Sequence, residues 1–124
     1  MNIIDSSIWI EFFAGTELDI SIINAIKRKN ELCVPAICLY EVRKKFVNDN
    51  DIEKANLAVD IMRIGKIINM DSEIAILASD ISKQYKLPLA DSIIYATARI
   101  YEAEIYTQDK HFENLKQVHY FAKY

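Results

Sequence analysis

The sequence predicts a three-layer α/β/α fold built on a short, mostly parallel sheet of about five strands. Three observations carry this reading. Short β-branched runs alternate with longer stretches of helical periodicity, the pattern of βα units with helices on both faces of a sheet. Only two glycines and two prolines occur in 124 residues, too few for the turn density of an all-β sandwich or barrel. Apolar residues make up 52% and charged residues 27% of the chain, which excludes intrinsic disorder and low-complexity architectures.

Taken in order, Met1 to Asp5 is a short apolar strand that ends in an acid and runs into a helix through Ser6-Ser7. Thr16 and Asp19 fit a capping box that opens a helix through Ile20, Ile23 and Ile26 to the basic end Lys27-Arg28-Lys29. Leu32 to Val34 is a second strand, and Pro35 suits the first turn of the helix that carries Ile37, Tyr40 and Glu41. A further helix spans about Asp51 to Gly65, followed by a strand at Lys66 to Asn69. Asp71 or Ser72 caps the next helix, whose Ile74, Leu77, Ala78, Ile81 and Tyr85 share one face. Pro88 breaks the chain before a last long helix from Asp91 to Tyr101, apolar around most of its girth and therefore expected to be buried. Glu104 to Thr107 and Gln117 to Tyr120 complete the strands. The length suits one domain over residues 1–124.

The formal charge of −3 excludes tight duplex-DNA binding by a general basic footprint, although local basic residues or metal ions can still bring a phosphate in. No basic n-region precedes an apolar stretch, and no run approaches the roughly 18 apolar residues of a membrane span, so the protein is expected in the cytoplasm and away from membranes. Cys33 and Cys38 have neither zinc-site spacing nor a nearby histidine, and are expected to be reduced, buried hydrophobes.

In a parallel sheet every strand ends on one edge, where ligands bind near a topological switch point. Asp5 closes the first strand, Asp109 follows the fourth after Gln108, and Asp91 opens the buried helix. Each also has an ordinary explanation as a helix-capping acid. Glu41 is harder to explain in that way, because it sits beside an apolar stripe. Converging carboxylates repel unless a cation neutralises them or their proton affinity rises. An all-oxygen set suits Mg²⁺ or Mn²⁺ and points to phosphodiester hydrolysis by metal-activated water.

The segments D-S-S-I-W-I-E-F-F at 5–13, P-A-I-C-L-Y-E-V at 35–42, P-L-A-D-S-I-I-Y-A-T-A at 88–98 and T-Q-D-K-H-F at 107–112 resemble PIN-domain nucleases, and within them the VapC-like ribonuclease toxins of toxin–antitoxin pairs. The resemblance runs over essentially the whole chain. It implies an acidic quartet of Asp5, Glu41, Asp91 and Asp109 that binds one or two Mg²⁺ or Mn²⁺ ions and carries catalysis, with Ser7 and Thr107 as supporting hydroxyls. It also implies an RNA substrate, a small antitoxin partner and a homodimer. Two positions depart from the pattern: Gln108 stands where many relatives have arginine, and His111 where they often carry another acid.

Arg43-Lys44-Lys45 is either a solvated helix face or a local RNA-phosphate patch. Trp9, Phe12 and Phe13 are core, or offer one ring to a base or an antitoxin segment; Tyr95 is core with its hydroxyl possible at the site rim; His119 is structural. Three other functions compete with the toxin: a PIN-domain RNA-processing nuclease without an antitoxin, a non-catalytic interaction module whose carboxylates serve only as caps, and a receiver-type phosphoacceptor. The last leaves Glu41 without a role.

Overall fold

The computed structural model describes residues 1–123. Five strands form one sheet: β1 (Asn2–Ile4), β2 (Leu32–Pro35), β3 (Lys66–Ile68), β4 (Glu104–Thr107) and β5 (Val118–Tyr120). Six α-helices connect them: α1 (Ser6–Phe13), α2 (Ile20–Lys27), α3 (Ala36–Asn48), α4 (Ile52–Met62), α5 (Ser72–Tyr85) and α6 (Leu89–Ile100). The spatial order is β3-β2-β1-β4-β5 and every pairing is parallel, so all five strands end on the same edge. The chain steps outward from β1 to β3, then crosses back through α5 and α6 to place β4 on the other side of β1. The switch point is therefore the crevice between the ends of β1 and β4.

The core follows from which side chains lack any polar alternative. Ile3, Ile4, Cys33, Val34 and Ile105 of the three central strands are fully buried, as are Ile8 and Trp9 of α1 and Ile94, Tyr95, Ala96 and Ala98 of α6. The helix expected to be apolar all round is buried along Asp91 to Ala98. Trp9 is fully buried and stacks on Phe13 at 5.7 Å with Phe12 edge-on, and both phenylalanines are half-buried against the core. Both cysteines are free and buried, as expected. No helix among the described residues is long and apolar enough to cross a membrane.

The structure corrects several local expectations. Thr16 does not open a capping box: its hydroxyl donates to Glu11, and Asp19 is the N-cap of α2, accepting from the Ser21 N–H. α4 ends at Met62, three residues before Gly65. α6 starts at Leu89 with Pro88 as its N-cap, so Asp91 lies in the first turn and does not open the helix. Gln117 adopts a left-handed backbone with φ 66°, which delays β5 to Val118. The Tyr95 hydroxyl donates to the Lys116 carbonyl at 3.1 Å and is used up inside the fold, away from any site rim. His119 is structural, stacked on Tyr106 and paired with Glu104 at 3.1 Å.

Candidate metal centre at the sheet edge

β1 has room for three residues before Asp5, whose backbone N–H donates to the Tyr106 carbonyl at 2.9 Å and locks the strand end against β4. The Asp5 carbonyl then takes the Ile8 and Trp9 N–H groups and starts α1. Asp5 is thus the N-cap by backbone, yet its carboxylate makes no capping bond. Instead Oδ2 accepts from two hydroxyls, Ser7 at 2.7 Å and Thr107 at 2.8 Å. The same two groups knit the neighbouring loop: Ser7 Oγ accepts from the Gln108 N–H at 3.2 Å, and Thr107 Oγ1 from the Asp109 N–H at 2.9 Å. Ser7 and Thr107 therefore orient Asp5 across the switch point.

Glu41 lies in the second turn of α3, and its Oε1 accepts from Ser6 Oγ at 2.7 Å. Sequence reasoning singled out Ser7 and missed Ser6, although adjacent hydroxyls at a helix start can face two different acids. Asp91 is carried by the tight turn between α5 and α6. Lys86 takes a left-handed conformation, Leu87 plugs into the core, and the Leu87 carbonyl accepts from both Ser82 and Ser92 at 3.1 Å. Asp109 does act as a cap: its Oδ1 accepts from the His111 N–H at 2.9 Å over the 3-10 turn Lys110–Phe112.

All four acids line one pocket of about 420 Å³, together with Ser6, Ser7, Ile10, Tyr40, Lys44, Lys45 and Asn48. Of the basic run, Lys44 and Lys45 reach this pocket. Arg43 does not: its guanidinium turns to Asn56 of α4 at 3.3 Å. Tyr40 and Asn48 were not anticipated as lining residues. The exposed Tyr40 was legible as a helical position one turn before Lys44, whose ammonium lies 5.5 Å from its ring. Gln108 faces a different cavity of about 790 Å³ near Glu11 and Lys123, so it offers no phosphate contact at the acids.

Burial and mutual repulsion raise the proton affinity of Asp5, Glu41 and Asp91. Burial pushes the Asp5 carboxyl up, against the lowering hydrogen bonds from Ser7 and Thr107, and Asp109 adds repulsion. Glu41 is raised by burial and by Asp5 and Asp109, against the Ser6 bond. Asp91 is raised to about 7 by burial and by Asp109 and Asp5. Its place in the first turn of α6 is worth roughly 0.3–1 kcal/mol to a carboxylate. That is less than the roughly 1.4 kcal/mol of a single pH decade, so burial wins, with the neighbouring acids adding to it. His111 Nδ1 lies 3.1 Å from Asp91 Oδ2 and 2.9 Å from Asp109 Oδ1, and these three donors fall within 4.8 Å of one another. Carboxylates that hold protons against their ordinary preference, with oxygens fixed by hydroxyls, fit a hard divalent ion. The Asp5 carboxylate makes no capping bond, which removes the caps-only account for the most buried of the four, whereas Asp91 does stand in the first turn of α6, where that account places it.

Comparison with known folds places this arrangement. A toxin–antitoxin complex from Klebsiella pneumoniae superposes with a TM-score of 0.80 at 22% identity, covering 99% of this chain and 100% of that one. VapBC2 from Rickettsia felis, bound to a DNA fragment from its promoter, gives 0.76 at 12% identity, with 98% and 97% covered. VapC20 from Mycobacterium tuberculosis, a sarcin–ricin loop cleaving toxin, gives 0.70 at 11% identity, with 88% and 92% covered. Comparison with curated protein sequences finds no match. At these identities the superpositions speak for the fold alone. The PIN domain family model matches residues 3–118, from the first strand to the start of the last, and the chain belongs to the PIN domain family.

Proposed function

We propose that this chain, as a single PIN domain over residues 1–124, is a Mg²⁺- or Mn²⁺-dependent endoribonuclease and the toxin of a toxin–antitoxin pair. The observation that carries the reading is the convergence of Asp5, Glu41, Asp91 and Asp109 on one pocket at the switch point. Those four would hold one or two ions, with Asp5 kept in orientation by Ser7 and Thr107 and Glu41 by Ser6. When bound, the ion would polarise the scissile phosphate and lower the pKa of the attacking water. Lys44 supplies positive charge at the pocket wall that an acidic protein needs to draw in an RNA backbone, beside Lys45, whose ammonium is shared with Asp49 at 3.1 Å. The toxin assignment draws on the solved structures of similar fold, which include toxin–antitoxin complexes and a toxin that cleaves the sarcin–ricin loop. An antitoxin that presents an arginine or lysine to the pocket would neutralise the same carboxylates and inhibit by direct competition. A homodimer is part of the same reading.

Purified protein incubated with structured and unstructured RNA tests the activity. Cleavage is expected with Mg²⁺ or Mn²⁺, is expected to stop on chelation, and should fall by about 10³-fold or more in Asp91→Asn. Cleavage that persists at the wild-type rate in Asp91→Asn would sink the mechanism.

A further inference from the structure

Resting on the metal-dependent reading above, we infer that His111 is an additional ligand of the divalent ion through Nδ1, and that it tilts the site toward Mn²⁺ over Mg²⁺. The side chain has no packing role to account for its position, since 57% of it is exposed. Its backbone, however, is held in place. The 3-10 turn is pinned on one side by fully buried Phe112 and on the other by the Asp109 carboxylate that caps the His111 N–H. Nδ1 then stands 3.1 Å from Asp91 Oδ2 and 2.9 Å from Asp109 Oδ1.

A single ring proton cannot point along both of those vectors, so the geometry is poorly matched to a pair of hydrogen bonds. It is well matched to coordination. Adjacent ligands of an octahedral ion with bonds of about 2.1 Å lie about 3 Å apart. The two nitrogen-to-oxygen separations therefore have the spacing of adjacent ligands around a shared ion, and the ring presents a lone pair once its proton resides on Nε2. An imidazole nitrogen is a poor partner for Mg²⁺, which takes oxygen, and a better one for first-row transition ions.

The test compares wild type, His111→Ala, His111→Asp and Asp91→Asn, first verified as folded by circular dichroism, with Mn²⁺ or Mg²⁺ alone as the probe. Calorimetric titration should show wild type binding Mn²⁺ at least about tenfold more tightly than Mg²⁺. In His111→Ala the Mn²⁺ affinity should fall about tenfold while Mg²⁺ changes by less than about threefold. Pulsed electron paramagnetic resonance of bound Mn²⁺ should reveal a ¹⁴N coupling in wild type that disappears in both His111 variants, with His111→Asp narrowing the Mn²⁺ preference. Bound Mn²⁺ without nitrogen coupling in wild type overturns the inference. So does a His111→Ala protein whose Mn²⁺ affinity is unchanged or tighter, the latter identifying the ring as an internal cation. Failure of wild type to bind either ion, or unaltered binding in Asp91→Asn, defeats the metal-dependent reading itself and is distinguishable from those results.

Discussion

At the scale of single residues the site depends on hydroxyls that aim acids. Asp5 Oδ2 takes hydrogen bonds from Ser7 and Thr107, and no other side chain donates to that carboxylate among the described residues. Both bonds favour the charged form and oppose the effect of burial. Thr107→Val keeps the buried shape but deletes one donor, and leaves the Asp109 N–H without its acceptor. Divalent-ion affinity is expected to drop about 10–100-fold, the usual cost of losing a group that orients a ligand, with Thr107→Ser restoring most of it. Calorimetric titration with Mn²⁺ checks this. Ser6→Ala acts on Glu41 in the same way and should weaken binding by about tenfold. An unchanged affinity in either variant would show that the acids need no such support.

Elements determine which neighbours a residue meets, and α3 illustrates it. Lys44 lies one turn after Tyr40 and faces the pocket, whereas Arg43, one position earlier, turns to Asn56 on α4. If RNA is the substrate as proposed, then in an Asp91→Asn background Lys44→Ala should weaken RNA binding and reduce its salt dependence by about one phosphate contact. Arg43→Ala should leave both unchanged, and filter binding across a salt series separates the two. Where β3 begins, Gly65 is held against β2: a Cβ there would sit 3.0 Å from Val34 Cγ2 and 3.1 Å from the Leu32 carbonyl oxygen. The backbone oxygen cannot rotate away as a side chain could. Gly65→Ala should therefore cost about 1–3 kcal/mol, seen as a lower denaturation midpoint with the slope unaltered.

Over the whole molecule the acids work against stability when no ion is bound. Asp5, Glu41 and Asp91 are all raised, chiefly by burial, and His111 is raised chiefly by Asp109. Each therefore binds its proton more tightly folded than unfolded. The stability this contributes is complete below the ordinary carboxyl range and is lost as pH rises through the folded values, reaching about 7 for Asp91. The Tm of the metal-free protein should fall between pH 5 and pH 8, and saturating Mn²⁺ or Mg²⁺ should flatten the decline. Asp91→Asn, which removes one charge from the cluster, should raise the metal-free Tm at pH 8 by roughly 3–5 °C for each kcal/mol of repulsion relieved. Scanning calorimetry over that range checks both statements; a Tm that rises toward pH 8 would contradict them.

The strands and the buried helix were legible in the sequence because their signals are local. The β-branched run before Asp5 and the all-round apolar character of residues 91–101 need no partner to be recognised. Helix starts were less secure. Thr16 and Asp19 both suit an N-cap by type, and only the reach of Thr16 to Glu11 decides between them. The candidate acids could be named from their places at strand ends and in motifs, but a carboxylate that caps a turn and one that faces an ion have the same letter. Asp109 in fact does the first while lining the pocket. The sequence by itself determined the order of βα units, and with it that the strands end together, because pairing and crossover follow from periodicity and chain connectivity. Tertiary structure alone decided that Ser6 serves Glu41, that Arg43 faces away, and that His111 sits between Asp91 and Asp109. Side-chain direction depends on what lies across the gap, and residues such as Ser6 and Glu41, 35 positions apart along the chain, meet only once the fold has brought them together.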